Sequence, residues 1–135
     1  MQLKNLATGV ALLLPDDLLW ADEHTWSPAV ASTSYLITGA LLFQSATRQA
    51  GRPITLVGAP DMARVTRATV EQLRAWAALP VSNTTGRFEL RLADTRVFTV
   101  AFRHSDTAIE AEPVLGIPAR SGSDFYRLTL RFLEI

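Results

Sequence analysis

The stretch of sequence that decides the fold runs from Phe88 to Phe102 and reads FELRLADTRVFTVAF. Apolar and polar residues alternate along it with a period of two, first over residues 88–92 and again over residues 97–103. This alternation is typical of strands that bury one face of a sheet. The four residues between the two runs, 93–96, are short enough for a hairpin turn, and Asp94 is favoured there for its local backbone bonding. The stretch therefore predicts an antiparallel β-hairpin.

Further strands are predicted on both sides of this hairpin. The chain ends on another alternating run, residues 126–132, and residues 54–57 form a short strand. Residues 34–44 are a long β-prone run interrupted by Gly39, where we expect a bulge or a bend in a curled sheet. Residues 109–114 predict an edge strand, because their proline cannot donate a hydrogen bond to a ladder.

One segment, at about residues 66–79, has helical periodicity instead. It is rich in helix formers, and its apolar residues share one face at helical spacing: Val70, Leu73, Trp76 and Ala77. Thr69 with Gln72 fits a capping box, and Thr66 is an alternative N-cap. Pro80 ends the helix.

These elements together predict a single mainly β (α+β) domain that spans residues 1–135. The expected architecture is an antiparallel split β-barrel or sandwich with one inserted α-helix, because closure or curling protects the edges of a strand-rich chain. Residues 1–33 are expected to form a less regular N-terminal arm and first strand.

Composition excludes several classes of function. The 13 basic and 13 acidic residues balance, whereas proteins that grip nucleic acid usually carry a basic excess, so no specific nucleic-acid binding is expected. The absence of cysteine excludes disulfides, thiolate nucleophiles and cysteine zinc sites. No apolar run is long enough for a signal peptide or a membrane span. We therefore expect synthesis in the cytosol and no membrane insertion.

The strongest candidate for chemistry is an acidic cluster near the N-terminus. It contains the only concentration of ligand-type residues: Asp16, Asp17, Asp22, Glu23 and His24. Pro15 precedes it, and Asp and Pro are favoured in turns for backbone reasons alone. His104-Ser105-Asp106 is a contiguous loop, not a triad, and no phosphate-binding glycine motif is present. The sequence therefore predicts no enzyme, with no catalytic, cofactor-binding or metal-binding residue and no cofactor.

Interface residues are a better interpretation of the remaining features. Two tryptophans in a proline-bounded irregular segment could anchor a partner or pack on their own barrel. A loose basic group after the long β-prone run is more typical of a protein interface than of a phosphate site. The interface residues predicted from these features are Trp20, Trp26, Arg48 and Arg52.

The order of these features resembles a known family of viral proteins. The segments that carry the resemblance are LPDDLLWADE at 14–23, Gly39-Ala40-Leu41, AGRPITL at 50–56, the helix over 69–79 and the hairpin over 88–102. Together they resemble the β-barrel domain of tailed-bacteriophage distal tail proteins and related small baseplate components. The resemblance implies a split barrel without catalytic residues. It also implies a homo-oligomeric, hexameric ring in the virion, at the tail tip, with the tail tube, hub and fibres as partners. A ring of this kind makes the hairpin tip at Asp94 and Thr95 a further predicted interface.

Other functions remain open at this point. A tail-tube, terminator or completion protein would share the architecture but sit elsewhere along the tail. A small-molecule-binding split barrel, such as a flavin-type domain, belongs to a different class, as does an enzyme that uses the acidic cluster.

Overall fold

The computed structural model describes residues 1–118 and 121–135, and over this range the chain is mainly β with one α-helix. All strand pairs are antiparallel, which confirms the predicted fold class. The elements in chain order are β1 (Gln2–Asn5), β2 (Ala11–Leu13), β3 (Leu19–Trp20), β4 (Ala29–Tyr35), β5 (Leu41–Thr47), β6 (Pro53–Val57), β7 (Arg64–Thr66), α1 (Arg67–Ala77), β8 (Phe88–Arg91), β9 (Val97–Phe102), β10 (Ile109–Pro113) and β11 (Phe125–Glu134).

Nine of these strands form the main sheet. Seven follow the order β2-β1-β8-β9-β11-β6-β3, and β7 and β10 pair with β11 off this path. The long strand β11 lies at the centre of the sheet. Strands β9 and β10 pair with one of its edges, and β6 and β7 pair with the other. The path through the sheet does not return from β3 to β2, so the barrel is not closed. This open, curled arrangement is compatible with a split barrel or a sandwich.

The core lies on one face of this sheet and beneath α1. Alternate residues of β8 and β11 are fully buried there, as their period-two pattern predicts. The helix contributes Val70, Leu73 and Trp76. Thr66 is its N-cap and accepts a hydrogen bond from the Thr69 amide at 3.4 Å, so the structure selects Thr66 from the two predicted caps. No helix among the described residues is both long and apolar enough to cross a membrane.

Within residues 1–33, strand β1 lies inside the main sheet between β2 and β8, with Leu3 fully buried. One segment differs from the sequence-based expectation, because Gly39 does not interrupt a strand of the barrel. It lies in a hairpin turn, where its φ of 85° is a conformation that glycine adopts without steric cost. The run over 34–44 is therefore two strands, not one bent strand.

The strands β4 and β5 form a separate two-stranded sheet, which we call the projecting hairpin, residues 29–47. They pair in continuous register from Ala29 opposite Thr47 to Tyr35 opposite Leu41. No other strand of the described chain pairs with them. Every residue of the projecting hairpin is exposed except Val30, which is half-buried. It therefore adds almost nothing to the core of its own chain.

Candidate functional site

The projecting hairpin presents large apolar side chains to solvent around its tip. They are Tyr35, Leu36, Ile37, Leu41, Leu42 and Phe43. Ile37 has a relative exposure of 108%, so nothing in its own chain covers it. Single exposed apolar residues are normal on protein surfaces, whereas contiguous groups mark interaction sites. This tip is such a group.

The projecting hairpin also lacks charge. From Thr25 to Thr47 the sequence contains no Asp, Glu, Lys, Arg or His. Exposed edge strands of monomeric proteins normally carry charges, prolines or bulges that prevent pairing with other chains. This hairpin has two free strand edges and no charge on either, and an isolated two-stranded hairpin is at best marginally stable in water. Its composition therefore differs from that of the exposed edge strands of monomeric proteins.

The turn at the tip determines which residues point outward. The Leu36 amide donates to the Ala40 carbonyl at 2.8 Å, and the Gly39 amide donates to the Leu36 carbonyl at 2.9 Å. This is a three-residue loop that ends in a glycine of positive φ, a common hairpin connection. It places Ile37 at the apex of the hairpin.

The two faces of the projecting hairpin differ in polarity. Residues directly opposite each other in an antiparallel pair share a face. One face therefore carries Tyr35, Leu41 and Phe43, together with Thr33. The other carries Leu42 among serines and Gln44. The first face, continuous with Ile37 at the apex, is the more apolar surface.

Several residues that the sequence predicts as interface residues lie at the root of the hairpin. The Arg48 amide donates to the Pro28 carbonyl at 2.7 Å and closes the base of the hairpin. The guanidinium carbon of Arg52 lies 4.6 Å from the ring centroid of Trp20 and 5.9 Å from that of Trp26. These are cation–π contacts, and the Arg52 side chain also donates to the Glu23 carbonyl at 3.0 Å. Trp20 is buried in its own chain, whereas Trp26 is half-buried.

The other two nominated residues, Asp94 and Thr95, lie at the tip of the β8–β9 hairpin. Asp94 accepts a hydrogen bond from the Arg96 Nε at 2.7 Å. Arg96 also donates to the Glu23 carboxylate at 2.6 Å, and this hydrogen bond, with Asp94 contributing, raises the pKa of Arg96 above its ordinary value. Its guanidinium lies 5.3 Å from the Trp20 ring centroid. The structure thus links this tip to the Trp20 cluster at the root of the projecting hairpin.

The acidic cluster near the N-terminus does not converge on one point. Asp16 pairs with the terminal amino group of Met1. Asp22 accepts hydrogen bonds from the Trp20 indole at 2.7 Å and from the Thr55 amide and hydroxyl, each at 2.9 Å. Glu23 pairs with Arg96, and His24 is exposed. Within residues 1–118 and 121–135, no group of three or more His, Cys, Asp or Glu side chains is placed to hold a metal ion.

A cleft of about 480 Å³ lies where β10 ends and β11 begins. Apolar side chains dominate its lining: Val114, Leu115, Ile117 and Phe125, with two prolines beside them. Arg64, Ser123 and Asp124 supply its polar groups. Leu115 has a relative exposure of 78%, so the cleft opens an apolar surface to solvent.

Sequence reasoning missed both the projecting hairpin and this cleft as candidate sites. The signal for the hairpin was present in the run without charge from Thr25 to Thr47. The cleft had no comparable signal, because its lining comes from three separate segments. Comparison with known proteins gives no match to this chain among protein-family models, curated proteins or solved structures.

Proposed function

We propose that this chain is a structural virion protein of a bacteriophage tail, a distal tail or baseplate ring subunit that links the tail tube to the hub and fibres at the tail tip. The observation that carries the proposal is the uncharged, exposed projecting hairpin, which requires a partner surface. The order of elements, which resembles that of distal tail proteins, supplies the kind of assembly. In this role the chain works through its shape and interfaces, not through catalysis.

The projecting hairpin is energetically unfavourable when no partner surface covers it. Its tip leaves six large apolar side chains in water, and burying such side chains is worth roughly 1.5–3 kcal/mol each. Its free strand edges also leave backbone donors and acceptors available for pairing. A partner surface offsets both costs at once. The balanced net charge of +0 further lowers the repulsion between copies.

The hairpin is also held firmly enough to act as an assembly element. Residues 48–52 connect its root to β6, which pairs with β11 in the centre of the main sheet. The cation–π contacts of Arg52 and the hydrogen bonds of Asp22 hold the segment before the hairpin against the same sheet. A partner bound at the tip would therefore be connected to the core of the subunit through a short segment.

A variant that lacks only the hairpin tests this proposal. Residues 30–46 would be replaced by a short Gly-Ser connection, which removes no core residue. We expect the wild-type chain to sediment as a discrete oligomer that negative-stain microscopy shows as rings, and the variant to sediment as a folded monomer. In a phage that carries the gene, the same change should leave tails without a complete tip. A wild-type chain that stays monomeric at high concentration would contradict the proposal.

The cleft favours one second candidate, a small-molecule-binding split barrel. Its volume of about 480 Å³ falls within the range of ligand pockets, and its lining combines apolar side chains with a few polar groups. Native mass spectrometry of the purified chain distinguishes this function, because a bound small molecule would add a reproducible mass that denaturation removes.

A further inference from the structure

The projecting hairpin and the cleft lie at opposite ends of β11. At the root of the hairpin, the Gly51 amide donates to the Glu134 carbonyl at 3.0 Å, and the Glu134 amide donates to the Arg52 carbonyl at 2.8 Å. Glu134 is the last residue of β11, whereas Phe125, its first residue, lines the cleft. A strand of this length, 10 residues, spans roughly 30 Å.

The hairpin of one chain does not fill the cleft of the same chain. Each of its strands has 7 residues and therefore reaches roughly 23 Å from the root. Its tip residues are exposed, and so is Leu115 in the cleft. The apolar tip lies at one end of the chain and the apolar cleft at the other. The tip of one copy can therefore contact the cleft of the next in a head-to-tail arrangement.

The two surfaces match in chemistry. The cleft is lined by branched aliphatic and aromatic side chains, and the tip offers side chains of the same kind. The cleft is as large as a pocket for a drug-sized molecule, so it can admit the side chains at the apex of a hairpin. The hairpin brings no charge of its own, so the charged groups beside the contact would be Arg64 and Asp124 of the cleft alone.

We infer that the tip of the projecting hairpin, with Ile37 at its apex, inserts into the cleft around Leu115 of a second copy of this chain. The contact is heterologous, because different surfaces of the two copies meet, and it generates a ring where the rotation between copies closes. The inference rests on the proposed assembly function and specifies which surfaces form the assembly contact.

The absence of native cysteine allows a direct test by cross-linking. Three single variants are needed: Ile37→Cys at the tip, Leu115→Cys in the cleft, and Leu13→Cys as the matched control. Leu13 is also an exposed leucine, with a relative exposure of 80%, but it lies on the edge strand β2. Pairs of variants would be mixed under reducing conditions, allowed to assemble, transferred to buffer without reductant, and treated with a short bismaleimide. Sedimentation of the untreated mixtures would be recorded in parallel.

We expect the Ile37→Cys and Leu115→Cys mixture to give at least tenfold more cross-linked dimer than the Ile37→Cys and Leu13→Cys mixture, with peptide mapping showing the 37–115 link. Assembly with equal or greater cross-linking to position 13 would overturn the inference in favour of strand pairing at β2, and would leave the proposed function standing. Assembly without either cross-link would also overturn the inference alone. A monomer without cross-links would overturn both the inference and the proposed function.

A second pair of variants checks the same contact without cross-linking. Leu115→Asp should raise the concentration needed for assembly at least tenfold, whereas Leu13→Asp should leave it unchanged. Because both leucines are largely exposed, neither variant should shift the unfolding midpoint of the monomer appreciably. Equal effects of the two variants on assembly would count against the cleft as the receptor.

Discussion

The two hairpins of this chain have the same turn in opposite surroundings. In residues 36–40 and in residues 92–96, the first amide donates to the fifth carbonyl and the fourth amide donates to the first carbonyl. The fourth residue has a positive φ in both turns, 85° at Gly39 and 73° at Thr95. Local backbone geometry therefore does not distinguish the two hairpins.

Charge and burial do distinguish them. The β8–β9 hairpin carries Asp94 and Arg96 at its tip, and it buries the side chains of Phe88 and Leu90 in the core. The projecting hairpin has no charge and no buried residue. One local motif can therefore either bury its side chains in the core or leave them exposed, and the pattern of side chains along its strands decides which.

The largest expected difference between the hairpins is in stability. Phe88→Ala should lower the free energy of unfolding by about 3–5 kcal/mol, because it leaves a cavity in a fully buried site. The matched change Phe43→Ala in the projecting hairpin should cost less than about 0.5 kcal/mol. Urea unfolding at concentrations where the chain is monomeric measures both. A loss above about 1.5 kcal/mol for Phe43→Ala would show that the hairpin packs on its own chain.

A smaller difference is expected when charge is added to each hairpin. Leu42→Lys places an ammonium group on the projecting hairpin and should weaken assembly at least tenfold, or about 1.4 kcal/mol, because a buried unpaired charge is costly. Val97→Lys in β9 is the matched control, since the exposures of Leu42 and Val97 are 40% and 47%. It should leave assembly unchanged. Sedimentation over a concentration series gives both values, and equal weakening would remove the distinction between the hairpins.

The smallest expected effect comes from exchanging the turn residues. A non-glycine residue in the left-handed region costs about 1–2 kcal/mol, so Thr95→Gly removes that strain while adding about 0.4–1 kcal/mol of unfolded-state entropy. We expect the free energy of unfolding, measured by thermal denaturation, to rise by about 0.5 kcal/mol.

The reverse change, Gly39→Thr, should leave monomer stability unchanged and weaken assembly a few-fold. A Cβ at Gly39 meets no atom within 4 Å, so the cost falls on the backbone of the turn alone. Loss of stability in the Gly39→Thr monomer would contradict the separation of the projecting hairpin from the core.

The sequence predicted those elements that bury one face. The β8, β9 and β11 strands alternate because every second residue enters the core, and α1 shows its apolar face for the same reason. Strand β1 was harder to predict, because one of its two buried positions is the polar Asn5, so its 4 residues show no apolar alternation. Strand β4 has no alternation at all, since neither of its faces is buried.

The interface role of the residues named from the sequence stays a prediction. Trp20, Trp26 and Arg52 do meet, but they meet around the root of the projecting hairpin, and Trp20 faces into its own chain. The hairpin tip was interpreted as part of a barrel strand, because residues with high strand propensity look the same in a sheet that buries them and in one that does not. Only the missing charges separate the two cases, and they must be counted over the whole run from Thr25 to Thr47 to be noticed.

The pair of backbone hydrogen bonds between Glu134 and the Gly51–Arg52 turn has a mechanical consequence. A force that pulls on the hairpin tip enters the main sheet through β6, which is bonded along its length to β11 in an antiparallel ladder. Ladder bonds lie perpendicular to the strands, so a pull along β6 loads several of them in shear at once instead of opening them one by one. The subunit can thus resist tension through its hairpin until much of the sheet yields together.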